Sequence, residues 1–362
     1  MKSAWILLIV TLAAQASSAE TVAVGNCRPG VTSYATISLA VAVATAGATV
    51  LVCPGTYPEQ VTITTPLTLR GLSLVWGSNP VITVPVGGFA AEGGAQILAQ
   101  GNQFNFTALG PVNISNLIVD GTGSGVNCAS GTLTGIEYSA ASGTIENVQV
   151  RNQNPGGCGS GILLGGGDAG IAVNILNSSV DNFDSIGIQA DAVIAGGEVN
   201  LTSNSIGSTS ASVQAGAYLF GTQSIIARNT IVLSAGSGLE LEDGPMTAKN
   251  NTIVGTNTGI VVGGTPSGDI PIVVTHNSLY GNAIGIGVNP FAENVTVGSN
   301  AISQSTTAAI QLECGGYGTA VTTTVEHNEI FAAPIGIANI DSLDKVAANT
   351  FYSVPTATTT CP

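Results

Sequence analysis

Only 8% of the 362 residues are charged and 44% are hydrophobic, which excludes a disordered chain. The 48 glycines, with many β-branched residues and many Asn, Ser and Thr, suit strands joined by polar turns. Seven basic residues against 21 acidic ones give a formal charge of −14, which argues against nucleic acid and anionic membranes as partners and against a polyanionic ligand without a bridging cation.

In chain order, residues 1–19 predict a secretory signal peptide: Lys2, an apolar run from Ala4 to Ala14, and Ser17-Ser-Ala19 at the cut. That run is too short to span a bilayer, and no other stretch is long and apolar enough. The expected product is therefore exported (secreted, periplasmic or on the cell surface), monomeric and without a membrane span. Loss of Lys2 leaves six basic against 21 acidic residues, a formal charge of −15.

Residues 20–48 predict an N-terminal cap. Within it, residues 34–47 predict a short amphipathic helix with Ile37, Ala40, Val41 and Ala44 on one face. Residues 49–352 predict a solenoid that this helix covers at its open end. Within that span, residues 72–113 break the period and predict a long loop or irregular coils. Residues 353–362 form a Thr/Pro tail. No linker divides the chain, so one domain is expected.

The solenoid is announced by a repeat. Asparagines recur at 116, 147, 177, 204, 229, 251, 277, 300, 328 and 349, with gaps of 21 to 31 residues. Between them falls a small-Gly-aliphatic marker, as in Ser160-Gly-Ile, Ile186-Gly-Ile, Ser237-Gly-Leu, Thr258-Gly-Ile and Ile284-Gly-Ile. Self-similarity at this period signals stacked coils. Alternating apolar residues within each short run have strand spacing. Three short strands fit between successive turns, so each coil has three strands stacked in parallel on its neighbours. The asparagine column is expected to be structural, since Asn tolerates left-handed turns and its amide can bond the next coil. His276, His327 and Arg228 precede asparagines of that column, a tolerant outward turn position.

The stretch from Thr49 to Gly71, TVLVCPGTYPEQVTITTPLTLRG, resembles the opening coil of right-handed parallel β-helix proteins of the pectate-lyase-like superfamily. The Asn and Gly-Ile repeats resemble the coil signature of that superfamily over nearly all the chain after residue 19. The resemblance implies an all-β, right-handed parallel β-helix. The piece Gly55-Thr-Tyr-Pro-Glu59 resembles a pectin methylesterase motif, but that family's Gln-rich loop, paired Asp and late Arg-Pro-Trp are missing. The Asn-Thr-Asp, Asp-Asp, Gly-His-Gly series of polygalacturonases and the Arg/Lys cluster of pectate lyases are missing too.

Six cysteines behind a signal peptide predict disulfides, and six allow 15 pairings. The favoured set is Cys27–Cys53 near the cap, Cys128–Cys158 across adjacent coils and Cys314–Cys361 at the tail. No Cys-x-x-Cys with a nearby His supports a metal site instead.

The candidate chemistry lies on the strand that follows each Gly-aliphatic marker. If the aliphatic residue points inward, the next residue and the one two beyond it point outward. The outward stripe then carries Glu137, Leu163, Gln189 and Asp191, Tyr218 and Phe220, Glu240 and Glu242, Val261, Asn289, and Gln311 and Glu313. The candidate catalytic group is Asp191, Glu240 and Glu242. Gln189, Tyr218, Phe220, Gln311 and Glu313 are the candidate substrate contacts. Glu240 and Glu242 lie roughly 6.6 Å apart along one strand, and Asp191 roughly 9.5 Å from Glu242 across two coils. Both spacings fall in or near the ~6.5–9.5 Å carboxyl separation of inverting glycosidases. The alternative is an acidic surface that keeps the solenoid soluble and blocks lateral sheet association. No cofactor is called for. Calcium between acidic coils stays open, without a Gly-Gly-x-Gly-x-Asp repeat to support it.

Three roles remain open: a protein that binds a polysaccharide or cell-surface glycan along the outer stripe, a glycoside hydrolase or polysaccharide lyase using its carboxylates, and a structural or adhesive solenoid. Scarce Lys and Arg count against a uronate lyase. The aromatic pair beside carboxylates favours sugar binding first and catalysis second.

Overall fold

A computed structural model describes residues 20–73, 78–89, 94–102, 108–165, 170–191, 197–264, 271–290, 292, 294–314 and 323–362. The signal peptide expected at residues 1–19 lies outside the described residues. The rest is all-β apart from one helix: three long sheets of 14, 12 and 12 strands, each made by stacking one strand per coil. The described strand pairs are parallel, as in the run Ser224–Ala227 on Met246–Lys249 on Ile272–Thr275.

Each sheet turns every second side chain inward. The inward Val, Ile and Leu form one core that runs from Val22 to Ile337, as with Ile260, Val262, Val274 and Leu279. Burial of each such side chain contributes about 1.5–3 kcal/mol, so the core supplies the bulk of the stability. The turns fix which residues face it.

The turn between the first and second sheets does this with a side-chain ladder. Asn204, Asn229, Asn251, Asn277, Asn300 and Asn328 are buried. Asn277 shows the unit: its backbone N–H and its Nδ2 both donate to Asn300 Oδ1, at 2.9 and 3.0 Å, and Nδ2 also donates to Ala248 O at 3.0 Å. Its Oδ1 accepts the N–H and the Nδ2 of Asn251, both at 2.9 Å. The ladder ends on Asn349, whose Oδ1 accepts from Asn328.

The sequence column of asparagines proves to be two columns, one residue apart. Asn116, Asn147 and Asn177 occupy a left-handed slot, with φ of 56°, 52° and 48°. From Ser203 onward that slot holds Ser203, Arg228, Asn250, His276, Ser299, His327 and Ala348, and Asn has moved into the buried ladder position next to it. Asn250-Asn251 fills both. His276 and His327 are thus exposed turn residues with φ of 56° and 57°.

The Gly of the marker has a steric cause. A Cβ on Gly238 would lie 2.4 Å from Gly259 O, and one on Gly285 would lie 2.4 Å from Ala309 O. The chain bends into the third sheet with adjacent coils too close there for a side chain.

The helix spans Ile37–Val43 and buries Ile37, Ala40 and Val41. Thr36 caps it by accepting from Leu39 N–H at 3.2 Å. Glu59 accepts the N–H groups of Ile37 and Ser38, both at 2.8 Å, and the Ser38 hydroxyl at 2.6 Å. Tyr57 donates its hydroxyl to Cys53 O at 2.8 Å. The piece that resembled a pectin methylesterase motif therefore ties the capping helix to the first coil.

Two stretches carry more structure than the sequence indicated. Residues 72–113 contain Val81–Thr83, Gly94–Gln100 and the start of Leu109–Ser115, one strand for each sheet. Of the Asn102-Gln-Phe-Asn-Phe piece, all but Asn102 lies outside the described residues. In the tail, Thr356–Thr360 forms the last strand of the third sheet, paired with Ile335–Ile340. The disulfides are Cys27–Cys53, Cys128–Cys158 and Cys314–Cys361.

Candidate functional site

The third sheet presents the outward stripe in register. Gln189 pairs with Tyr218 and Asp191 with Phe220. On the next coil Tyr218 pairs with Glu240 and Phe220 with Glu242. These six side chains occupy two columns on three successive strands, Ile186–Asp191, Ala215–Phe220 and Ser237–Glu242. In each strand they alternate with buried Ile188 and Ala190, Ala217 and Leu219, or Leu239 and Leu241. The inward aliphatics thus fix the outward positions of the polar and aromatic groups.

Tyr218 sits at the centre. Its ring lies beside Phe220, with centroids 6.5 Å apart and planes within 17°. Its hydroxyl donates to Glu242 Oε2 at 3.1 Å. Burial first, then the Glu242 carboxylate, then the charges of Asp191 and Glu240 push the phenol well above its ordinary value. It therefore stays protonated and acts as a donor. The Glu240 carboxyl is also raised, by burial first and then by Glu242, against a hydrogen bond from Ser237 that lowers it. Glu137, two coils before Gln189 in the same column, is raised by burial. A carboxyl held toward its acid form beside a second carboxylate is the arrangement from which general acid–base chemistry is built.

Gln311 lies in the same column but three coils beyond Glu240, through Val261 and Gly287. Glu313 follows the end of its strand and is exposed. Asn289 likewise falls just past Ile284–Val288, and the outward residue paired with Val261 is Gly287. Between the two polar groups the outward residues of this column are Val261 and Gly287. Glu242 leans over buried Gly263, where a Cβ would meet its Oε1 at 2.8 Å.

The second sheet carries a column that the sequence analysis missed. Three residues after each ladder position stand Asp120, Arg151, Asp181, Gly207, Val232, Val254, Tyr280, Ser303, Phe331 and Tyr352, all in register. Its first part is ionic. Arg151 Nε donates to Asp120 Oδ2 at 2.8 Å. Partial burial works against the Asp120 charge, but hydrogen bonds from Thr122, Asn152 and Arg151 prevail and lower its pKa to about 2. Its last part is aromatic: Phe331 and Tyr352 stack with centroids 4.6 Å apart. The +3 spacing from the ladder was the available signal, hidden by the one-residue offset between the two asparagine columns.

Two surface recesses lie away from the third sheet, one beside Phe89, Ser124 and Asn127, the other along Asn147, Asn177, Asn204 and Arg228. Neither brings a carboxylate to its lining. Among the described residues, no group of three or more His, Cys, Asp or Glu is placed to hold a metal. No helix among them is long and apolar enough to cross a membrane.

No protein-family profile matches the sequence, and no curated protein does. Solved structures do. The A-module of the Azotobacter vinelandii mannuronan C-5 epimerase AlgE4 is 18% identical, with a TM-score of 0.65 over 89% of this chain and 90% of that one. The tailspike of E. coli bacteriophage HK620, solved with a hexasaccharide, is 12% identical, with a TM-score of 0.62 over 90% of this chain and 63% of that one. The Streptococcus pneumoniae surface adhesin PfbA is 15% identical, with a TM-score of 0.59 over 84% and 82%. Likeness at these identities speaks to architecture. By its three parallel sheets and these neighbours, the chain has a right-handed parallel β-helix fold.

Proposed function

We propose that this is an exported protein that binds an extended polysaccharide along the outer face of its third sheet. The observation that carries the proposal is the registered cluster of Gln189, Asp191, Tyr218, Phe220, Glu240 and Glu242 on three successive coils. Aromatic rings offer apolar surface to the faces of sugar rings, and the flanking carboxylates and amide accept from or donate to hydroxyls. A face of strands stacked in register suits an extended chain. The disulfides agree with an oxidising compartment outside the cytosol. Neighbours named as a mannuronan epimerase and as a tailspike solved with a hexasaccharide lend general support to a carbohydrate partner.

Glycoside cleavage is the second reading, favoured by the raised carboxyl of Glu240 beside Glu242 and by Asp191 two coils away. One screen separates the two. The protein is applied to a glycan array and assayed for new reducing ends, with and without calcium. The Tyr218→Ala/Phe220→Ala variant is run beside it. Binding without new reducing ends, lost in the variant, is the expected result. New reducing ends or unsaturated products would make it an enzyme. No response to any glycan would leave a structural or adhesive role.

A further inference from the structure

The charge on the third sheet has one sign. Among the described residues, its strands hold no Lys, Arg or His, but they hold Glu137, Asp191, Glu240 and Glu242. Glu313 follows one residue past its strand. The basic residues among the described ones stand elsewhere. Arg70, Lys249 and Lys345 lie on first-sheet strands, Arg151 on the second sheet, Arg228 in the left-handed turn slot and Arg28 before the capping helix. The ion pair Arg151–Asp120 also lies off this face. Burial first, and then the neighbouring Glu242, Asp191 and Glu240, disfavour ionisation of Tyr218. A polyanion laid here would meet repulsion from these carboxylates with nothing to offset it.

Resting on the glycan-binding role proposed above, we infer that the ligand is an amino-sugar polymer with free amines. Its ammonium groups lie against Asp191, Glu240 and Glu242, and one ring rests over Val261 and Gly287. An ammonium supplies the positive charge that the face lacks and donates to its carboxylate acceptors. Val261 and Gly287 span two coils, roughly 9.5 Å, and Gly287 brings no side chain to the face beyond the taller Tyr218 and Glu240.

The test uses a glucosamine oligomer and the fully N-acetylated oligomer of equal length. Both are titrated into the protein at about pH 6, above the ordinary carboxylate range and where amines still hold protons. Three forms are compared: the unaltered chain, Asp191→Asn/Glu240→Gln/Glu242→Gln, and a control with as many charges removed from the first sheet, Glu146→Gln/Glu198→Gln/Glu326→Gln. The amine form should bind at least about tenfold tighter than the acetylated one, and that advantage should shrink as salt shortens the screening length. The third-sheet variant should lose the advantage and the control should keep it. Equal binding of the two oligomers would overturn the inference and leave the glycan-binding role standing. An equal loss in the control would reduce the effect to the net charge of the whole molecule and overturn it as well. If neither oligomer binds while another glycan on the array does, the amine assignment alone fails. If no glycan binds at all, the glycan-binding role fails with it.

Discussion

The turn between the first and second sheets and the outer face of the third sheet share one coil-to-coil register, yet they use it in opposite ways. The turn repeats a single side chain. Each ladder Asn from 204 to 328 is buried and hydrogen-bonded to its neighbours. The face changes chemistry at every step: Leu163, Gln189, Tyr218, Glu240, Val261, Gly287, Gln311. Uniform and internally satisfied columns are what a solenoid needs to hold its pitch. A mixed face whose two columns concentrate one sign of charge and two rings on three coils does nothing for pitch, and it is where a ligand is to be sought.

The largest effect should come from breaking the ladder at its middle. Asn277→Ala leaves the buried Asn251 N–H without its acceptor and removes three further hydrogen bonds, one of them to Ala248 O. Urea unfolding should show a loss on the order of 3 kcal/mol, with glycan binding by the folded fraction unchanged. A loss as small as that of an ordinary surface substitution would break the comparison. The converse holds for the face. Tyr218→Ala/Phe220→Ala should cost less than about 1 kcal/mol of stability, since both rings are only half-buried outward groups, while removing binding.

Two carboxylates sharpen the contrast through pH. Asp120, on the second sheet, is held at about 2. A depressed carboxyl stabilises the fold above its unfolded pKa and loses that contribution as pH falls through the folded value. Asp120→Asn should therefore cost on the order of 1 kcal/mol at neutral pH, after allowance for solvent screening. That cost should vanish between about pH 4 and pH 2. Glu240, on the third sheet, is raised, so its sign is reversed. Its contribution is most favourable below the unfolded pKa and is lost as pH rises through the folded one. Glu240→Gln should raise the thermal midpoint at neutral pH, and the gain should shrink as the pH falls into the ordinary carboxylate range. A midpoint lowered at neutral pH would show that Glu240 is held by structural partners, as Asp120 is.

Much of this architecture was legible because strand alternation and coil period are one-dimensional. The outward positions of Gln189, Asp191, Tyr218, Phe220, Glu240 and Glu242 follow from alternation with Ile188, Leu219 and Leu241 alone. The two asparagine columns were not separable by eye, because left-handed turns and amide ladders both favour Asn and the slots are adjacent. Residues 72–113 hid their coil for a related reason: more sequence separates their strands than in later coils, and that obscures the period. The Asp120–Arg151 pair and the Phe331–Tyr352 stack needed the true ladder register before the +3 spacing became visible. Nothing in the sequence distinguishes an acidic face that binds from one that merely keeps the molecule soluble, since both need the same residues.

The most direct test of the central claim is therefore calorimetric titration of the strongest glycan from the array into three forms: the unaltered protein, Tyr218→Ala/Phe220→Ala, and Tyr280→Ala/Tyr352→Ala. The last pair removes exposed rings from the second sheet. Affinity should fall by about tenfold or more in the first variant and stay unchanged in the second. A loss confined to Tyr280→Ala/Tyr352→Ala would move the glycan to the second sheet and contradict the account.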